Sequence, residues 1–247
     1  VTEERTTADQ IAFYDGYFGG EYDLPVERLK QGSRLRTLAA LIGHQASGRL
    51  LVVGCGSGDD LLILQAETLV ASDLSSVAVR MARDHHPTAQ YLQADGTQLP
   101  FAANTFDTLL CSEVIEHVLE PGSLVSEFAR VLKPDGSLFL STPNWISWWG
   151  LARKLAEWTL QRPVTSGGQP VDNWFTPRRL RRTLTEHFDI AAWRGVWYFP
   201  PTGIGLRRLP DKLVAPVFRL LMPLDRLWGR LLPRLGHLHA VRAVRRA

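Results

Sequence analysis

The sequence predicts an α/β fold: a doubly wound, mostly parallel sheet with a helical insert and a helical C-terminal extension. Three observations carry that prediction. Residues 50 to 60, LLVVGCGSGDD, run four apolar residues straight into Gly54, Gly56 and Gly58, the pattern of a buried strand ending in a glycine turn. From 50 to 142, short apolar runs alternate with helix-like stretches, as in a parallel sheet covered on both faces. Four successive runs each end in polar or glycine residues, at the point where an open α/β sheet meets its ligand.

Taken in order, residues 1 to 9 are polar and expected to fray. The segment 11 to 24, IAFYDGYFGGEYDL, is rich in aromatics and glycine. Leu35, Leu38, Ala39, Leu41 and Ile42 recur at helical spacing and predict a helix on the sheet, with Arg34 and Arg36 as solvated flanks. The glycine turn follows the first strand. Glycines suit it because the turn needs unusual dihedrals and because a ligand must approach the backbone with no Cβ in the way. A helix is expected from about Asp59, its free N–H groups facing that ligand. Cys55 reads as a small residue that fits the turn rather than as a nucleophile.

A second run, TLVAS, ends at Asp73, about 20 residues after the start of the turn; at that spacing an acidic residue meets ribose hydroxyls. A carboxylate there can accept from both hydroxyls of an adenosine ribose, and Leu74 stands beside it. The third run, AQYLQAD, ends at Asp95 and Gly96, where a carboxylate can reach an adenine amino group. The fourth, FDTLLCSEVIEHV, ends in the polar residues 112 to 117, with Ser112 on the cofactor side. Ser75 or Ser76 caps the helix after the second strand. Pro121 starts another helix with Phe128, Val131 and Leu132 on its apolar face, and Pro134-Asp135-Gly136 turns into the strand SLFLST.

The chain is similar to the class I S-adenosylmethionine-dependent methyltransferases, and resembles the ubiquinone/menaquinone and natural-product small-molecule enzymes of that family. The resemblance covers about residues 10 to 195 and rests on VVGCGSG, SDLS, QADGTQLPF, FDTLLCSEVIEHV and EFARVLKPDGSLFLSTPN. It implies a Rossmann-like seven-stranded sheet with an antiparallel last strand. It implies S-adenosylmethionine as cofactor, with S-adenosylhomocysteine as product. It also implies that the N-terminal segment folds over the cofactor and that a tyrosine helps hold it, with Tyr14, Tyr17 and Tyr22 as candidates. One departure is Val52, where the family usually has an acidic residue two positions before the first glycine; that polar contact is missing or supplied elsewhere.

After Pro143-Asn144 the composition changes. WISWWGLARKLAEWTL carries four tryptophans and predicts a helix apolar nearly all round. A Gly/Pro-rich loop, a short helix from Thr176-Pro177, and DIAAWRGVWYF follow, the last expected to supply the final two strands. Residues 143 to 185 lie where this family commonly builds a substrate lid, and Asn144, Trp145, Trp174 and Tyr198 are placed at the substrate; the plainer reading is a helix pair covering the sheet. These assignments divide the chain into a methyltransferase domain, 1 to 200, and a basic amphipathic extension, 201 to 247. In the extension, Pro216, Pro223 and Pro233 are expected to break the chain into short helical pieces.

With 247 residues, 45% hydrophobic and 21% charged, the chain suits one soluble α/β domain with an appendage. Two cysteines, Cys55 and Cys111, exclude a disulfide framework and fit a reducing compartment. No signal segment and no apolar run of about 18 residues is visible, so a cytoplasmic location is expected. The net charge of +3 is uneven: ten basic residues from 201 onward face only Asp211 and Asp225, leaving +8 there and −5 before it. The acidic body argues against a nucleic-acid partner. The extension fits either peripheral membrane association through 206 to 247 or a cap on the body or a second subunit.

Methyl transfer needs the nucleophile held near the methyl group and its proton accepted. Glu113, Glu116 and His117 are the candidates for that proton, and His117 is the best single base because its ordinary pKa lies near working pH. Glu113-x-x-Glu116-His117 also resembles the E-x-x-E-H metal motif of quinone-precursor O-methyltransferases and small-RNA 2′-O-methyltransferases, which would make a divalent cation the alternative activator. The expected reaction is methylation of a small-molecule or lipid-like acceptor, most naturally at a hydroxyl, in secondary-metabolite, sugar, quinone or lipid biosynthesis. The alternatives are N- or C-methylation, or a non-catalytic cofactor-binding or regulatory protein. A nicotinamide oxidoreductase would need G-x-G-x-x-G, whereas the third glycine here comes one place early.

Overall fold

The computed structural model describes residues 6–19, 25–43, 48–161, 169–198 and 211–247. Its centre is β1 (Arg49–Val53), buried from Leu50 to Val53 and paired in parallel with β2 (Thr68–Asp73) and β4 (Phe106–Ser112). Outside these, β3 (Gln90–Gln93) extends the sheet beside β2 and β5 (Leu132–Pro143) beside β4, again in parallel. Then β7 (Leu238–Arg245) runs antiparallel to β5, and β6 (Phe188–Val196) antiparallel to β7. The order is β3-β2-β1-β4-β5-β7-β6.

Successive side chains of a strand face opposite ways, and that alternation divides the core in two. Leu51 and Val53 pack with Leu124 and Phe128 of α4 (Pro121–Val131) and with Leu180 and Leu184 of α6 (Pro177–Leu184). Leu50 and Val52 pack with Leu38 and Ile42 of α2 (Pro25–Ile42) and Ala82 of α3 (Ser76–His85). Each such buried leucine or phenylalanine contributes about 1.5–3 kcal/mol relative to exposure. The helices start where the sequence says they should. Ser75 accepts from the Ala78 amide at the start of α3, Thr176 from the Arg179 amide at the start of α6, and Pro121 opens α4.

Several expectations are corrected. The N-terminal residues from Thr6 are not frayed: Thr6 and Asp9 form a reciprocal capping box on α1 (Thr7–Phe18). The stretch from Asp59 is a single 3-10 turn, Asp59–Ile63, not an α-helix; α2 and α3 already supply the cover of that face. The final two strands do not both come from DIAAWRGVWYF. It supplies β6 alone, Trp197 leaves the strand with a left-handed φ of 60°, and the seventh strand comes from the end of the chain. The extension is therefore not wholly helical. Its last part is β7, with Leu238, Ala240, Val241 and Ala243 at most 1% exposed between β5 and β6. Nor do Pro216 and Pro223 break it: α7 (Asp211–Leu231) is continuous across both. A proline inside a helix costs about 3 kcal/mol, so packing on α2 and β6 must hold α7 together.

The tryptophan-rich insert forms α5 (Trp148–Leu160), opened by Ser147, whose Oγ accepts from the Gly150 amide. Tyr22 and residues 199–210, which include the start of the extension, lie outside the described residues.

Candidate active site

The carboxyl ends of β1, β2 and β4 meet α1 around a cavity of about 700 Å³, within the usual size of a small-molecule site. Gly54, Cys55 and Gly56 form one wall. A Cβ on Gly54 would lie 2.1 Å from Val114 Cγ2, so this glycine lets the turn after β4 close on β1. A Cβ on Gly56 would point toward the Phe18 ring at 3.5 Å, into the space α1 covers. Gly58 does not line the cavity; its Cβ would meet Ala82, and it serves the packing of α3. The Cys55 thiol is pushed up to about 12 by burial, which fits a packing role.

Asp73 closes the next wall. Its Oδ2 accepts from the Gly56 amide and its Oδ1 from the Ser75 amide, both at 2.9 Å. Burial raises its pKa despite those donors, so further donors from a ligand would stabilise the carboxylate. Asp95 accepts from the Thr97 amide and hydroxyl through Oδ1 alone, and Asp95, Gly96 and Leu74 all line the cavity. Helix α1 covers it, fixed by Asp15, which accepts from Ser75 Oγ and the Val77 amide. From α1, Tyr14, Tyr17 and Phe18 face inward. Tyr14 Oη is buried and has no hydrogen-bond partner among the described residues.

The far wall was illegible as a site. Arg34, expected in solvent, is 8% exposed and lines the cavity. It donates to both oxygens of Asp60, at 2.7 and 3.1 Å, and to Ser112 Oγ. Ser112 meets Ser141 Oγ, which donates to Glu113 Oε1 at 2.8 Å. The signal was present: Arg34, Leu38 and Ile42 fall at i, i+4 and i+8, one buried helix face. Val52, where an acidic residue was missed, points into the apolar core; Arg34 and Asp60 supply the polar groups there instead. Trp197 also lines the cavity without having been foreseen.

His117 stands in the cavity on the 3-10 turn Ile115–His117. Its Nδ1 lies 3.1 Å from the Val171 carbonyl oxygen. A carbonyl only accepts, so Nδ1 carries the proton and Nε2 is the basic nitrogen. Burial lowers the imidazole pKa. The insert clasps this turn: the Asn173 amide donates to the Glu116 carbonyl and Asn173 Nδ2 to the Val118 carbonyl. Glu113 lines the cavity, with a pKa raised by burial and by Glu116 beside it. Glu116 does not line it. It is 1% exposed, accepts from Thr142 Oγ1 and is pushed up to about 8 by burial.

The four predicted substrate residues are not brought into the cavity. The Asn144 side-chain amide donates to the Arg234 and Gly236 carbonyls and its Oδ1 accepts from the Ile146 amide. Trp145 and Trp174 pack on each other at 4.8 Å with Arg153 against both rings. Tyr198 donates to the Leu232 carbonyl and fixes the end of α7. All four hold the insert and the C-terminal segment to the sheet.

Residues 51–140 match the family model described as a methyltransferase domain. The ubiquinone biosynthesis O-methyltransferase of Methylococcus capsulatus is 32% identical over 167 residues, 64% of this chain and 70% of that one. The chain belongs to the class I S-adenosylmethionine-dependent methyltransferases. A Mycobacterium tuberculosis member of this family, a "Probable S-adenosylmethionine-dependent methyltransferase", is 36% identical over 100 residues, and the chain spans only 36% of its length. Among solved structures, an S-adenosylmethionine-dependent methyltransferase of Mesorhizobium loti superposes with a TM-score of 0.61 at 20% identity, over 88% of this chain and 100% of that one. One from Thermotoga maritima does so at 0.65 and 16%, over 96% of each; at such identities the likeness is one of fold.

The methyltransferase cavity fits the family's cofactor. Asp73 and Asp95 present carboxylates, Gly56 leaves room that a side chain would take, and the orphaned Tyr14 hydroxyl awaits a partner. A divalent cation is not fitted in the same way. Among the described residues no three of His, Cys, Asp or Glu converge as ligands, because Glu113 turns to Ser141 and Glu116 to Thr142.

Proposed function

We propose that the protein catalyses S-adenosylmethionine-dependent methylation of a hydroxyl on a small-molecule acceptor, with His117 as general base. The observation that carries the proposal is the fixed tautomer of His117, which leaves Nε2 basic on a side chain that lines the same cavity as Asp73 and Gly56. When bound, the cofactor supplies a methyl group on a positively charged sulfur that is already a good leaving group. Asp73 would hold the ribose, Asp95 the adenine edge, and Arg34 the carboxylate end, where its charge and donors match. Tyr14, Tyr17 and Phe18 of α1 exclude water from above. His117 takes the acceptor's proton at Nε2, and its lowered pKa keeps it unprotonated at neutral pH. A hydroxyl acceptor is favoured because relatives that align over 64% and 66% of this chain are named as O-methyltransferases.

The test is transfer of labelled methyl from S-adenosylmethionine to a panel of phenols, hydroxylated polyketides and lipid-linked hydroxyls. His117→Ala should lower turnover by about 10²–10⁴-fold while calorimetry finds cofactor affinity retained. Unchanged turnover in that variant would remove His117 from the mechanism.

A further inference from the structure

Two helices turn large apolar side chains outward. On α5, Trp148, Leu151, Leu155 and Trp158 fall within one stripe, with Trp148 78% and Trp158 70% exposed. On α7, Leu220, Leu224, Leu227 and Leu231 do the same, with Leu220 76% exposed and Trp228 beside them. A soluble surface does not ordinarily carry such continuous apolar stripes. The exposed charges beside them are basic, while Glu157 of α5 is paired with Arg153 and Lys154. Lys154 borders the α5 stripe, and Arg226, Arg230 and Arg234 border the α7 stripe and the turn after it, all exposed. The acidic residue within 220–235, Asp225, is turned inward and accepts from the Trp197 and Tyr198 amides.

The start of α5 and the segment after α7 meet at one edge of the sheet. Asn144, just before α5, donates to the Arg234 and Gly236 carbonyls just after α7. Ser147, the α5 cap, meets His237 at 3.3 Å. That edge is where β5 and β6 end and β7 begins, the carboxyl edge that holds the cavity. Trp197, which stacks on His237, lines the cavity itself.

We propose that α5 and the α7 end together form a membrane-docking face for an anionic lipid surface, which brings the cavity to an acceptor held in the bilayer. Tryptophans and leucines would enter the headgroup boundary while the arginines meet lipid phosphates. Among the described residues no helix is long and apolar enough to cross a membrane, so the contact is peripheral. The acceptor half of the proposal rests on the methyl-transfer reading above; the docking half does not.

Co-sedimentation of the full chain with vesicles of phosphatidylglycerol and phosphatidylcholine, and of phosphatidylcholine alone, tests it at low and high salt. Binding should require the anionic lipid and weaken with salt. Arg226→Glu with Arg230→Glu should reduce it at least about tenfold, as should Trp148→Ser with Trp158→Ser. Both pairs should leave the melting temperature and cofactor affinity unchanged. Absence of pelleting at low salt overturns the docking face. So does self-association by light scattering that these variants abolish without any vesicle binding, since the stripes would then cover a second copy. Vesicle binding without S-adenosylmethionine binding would leave the docking face standing and remove the methyl-transfer reading.

Discussion

At the scale of single residues, Asp73 carries the sharpest expectation. Both its oxygens are oriented by backbone amides, so its position does not depend on the ligand. Asp73→Ala should weaken S-adenosylmethionine binding by about 1.5–3 kcal/mol, the worth of a hydrogen bond to a charged group, and calorimetry reads it directly. A folded variant of unchanged affinity would displace Asp73 from the cofactor. Glu116 makes a prediction about pH. Its folded pKa of about 8 lies above the ordinary carboxyl value because the side chain is buried. The neutral form is favoured in the fold, so this stability is fully present below about pH 4.3 and is lost as pH rises through the folded pKa. Glu116→Gln keeps the neutral shape and should remove the alkaline part of that loss. The variant should melt about 2–4 °C higher than wild type at pH 8.5 per kcal/mol recovered, and little differently at pH 5. An equal melting temperature at both pH values would mean that Glu116 is ionised in the fold. Asp73 was legible in the sequence because its spacing from the glycines is set by the single crossover from β1 to its parallel neighbour β2. Glu116 and His117 were legible as a cluster, but not in their separate directions, because which of them faces the cavity depends on a 3-10 turn closed from outside by Asn173.

At the scale of elements, the insert is the part whose role shifted most. Trp145 and Trp174 were placed at the substrate because the insert lies where this family commonly builds a lid. The structure packs Trp145 and Trp174 on each other and lays the Arg153 guanidinium against both rings, where it also pairs with Asp172 at 2.7 Å and with Glu157 at 3.2 Å. Such an arrangement cannot be read from composition, since residues 145, 153 and 174 meet only after α5 has docked. It matters for the site because Val171 and Asn173, which orient His117 and its turn, flank Asp172. Arg153→Ala leaves the Asp172 side chain buried and unpaired and strips the guanidinium from both rings. The expected loss is about 3–5 kcal/mol, measured by urea unfolding, and Arg153→Lys should recover part of it. If Arg153→Ala unfolds at the wild-type midpoint, the cluster does not hold the insert.

At the scale of the whole molecule, the parallel half of the sheet was legible and the closing half was not, for a physical reason. Strands β1 to β5 arrive in sequence order with short connections, and each announces itself by an apolar run and a polar end. The seventh strand arrives after α7 from the far end of the chain. In LHAVRAVR the buried positions include both faces of the strand, so no alternation marks it, while the arginines before it suggest a detachable basic tail. The sheet is instead closed by β7. β7 pairs through seven registered positions with β5 and eight with β6, and His187 accepts from the Arg246 amide beyond it. A chain ending before Leu238 would leave the inner edge of β5 unpaired, detach β6, and uncover Leu140 and Phe139 in the core. Each backbone group left buried without a partner costs about 1–3 kcal/mol, and several such groups exceed the 5–15 kcal/mol by which a domain is normally stable. The truncated chain should therefore show no cooperative thermal transition by circular dichroism and no slowly exchanging amides in β5. Substitutions on the outward stripe of α7, such as Leu227→Ser, should leave both signals intact. A truncated protein that still melts cooperatively and binds S-adenosylmethionine would mean that the sheet closes without its last strand and that residues 238–247 are an appendage after all.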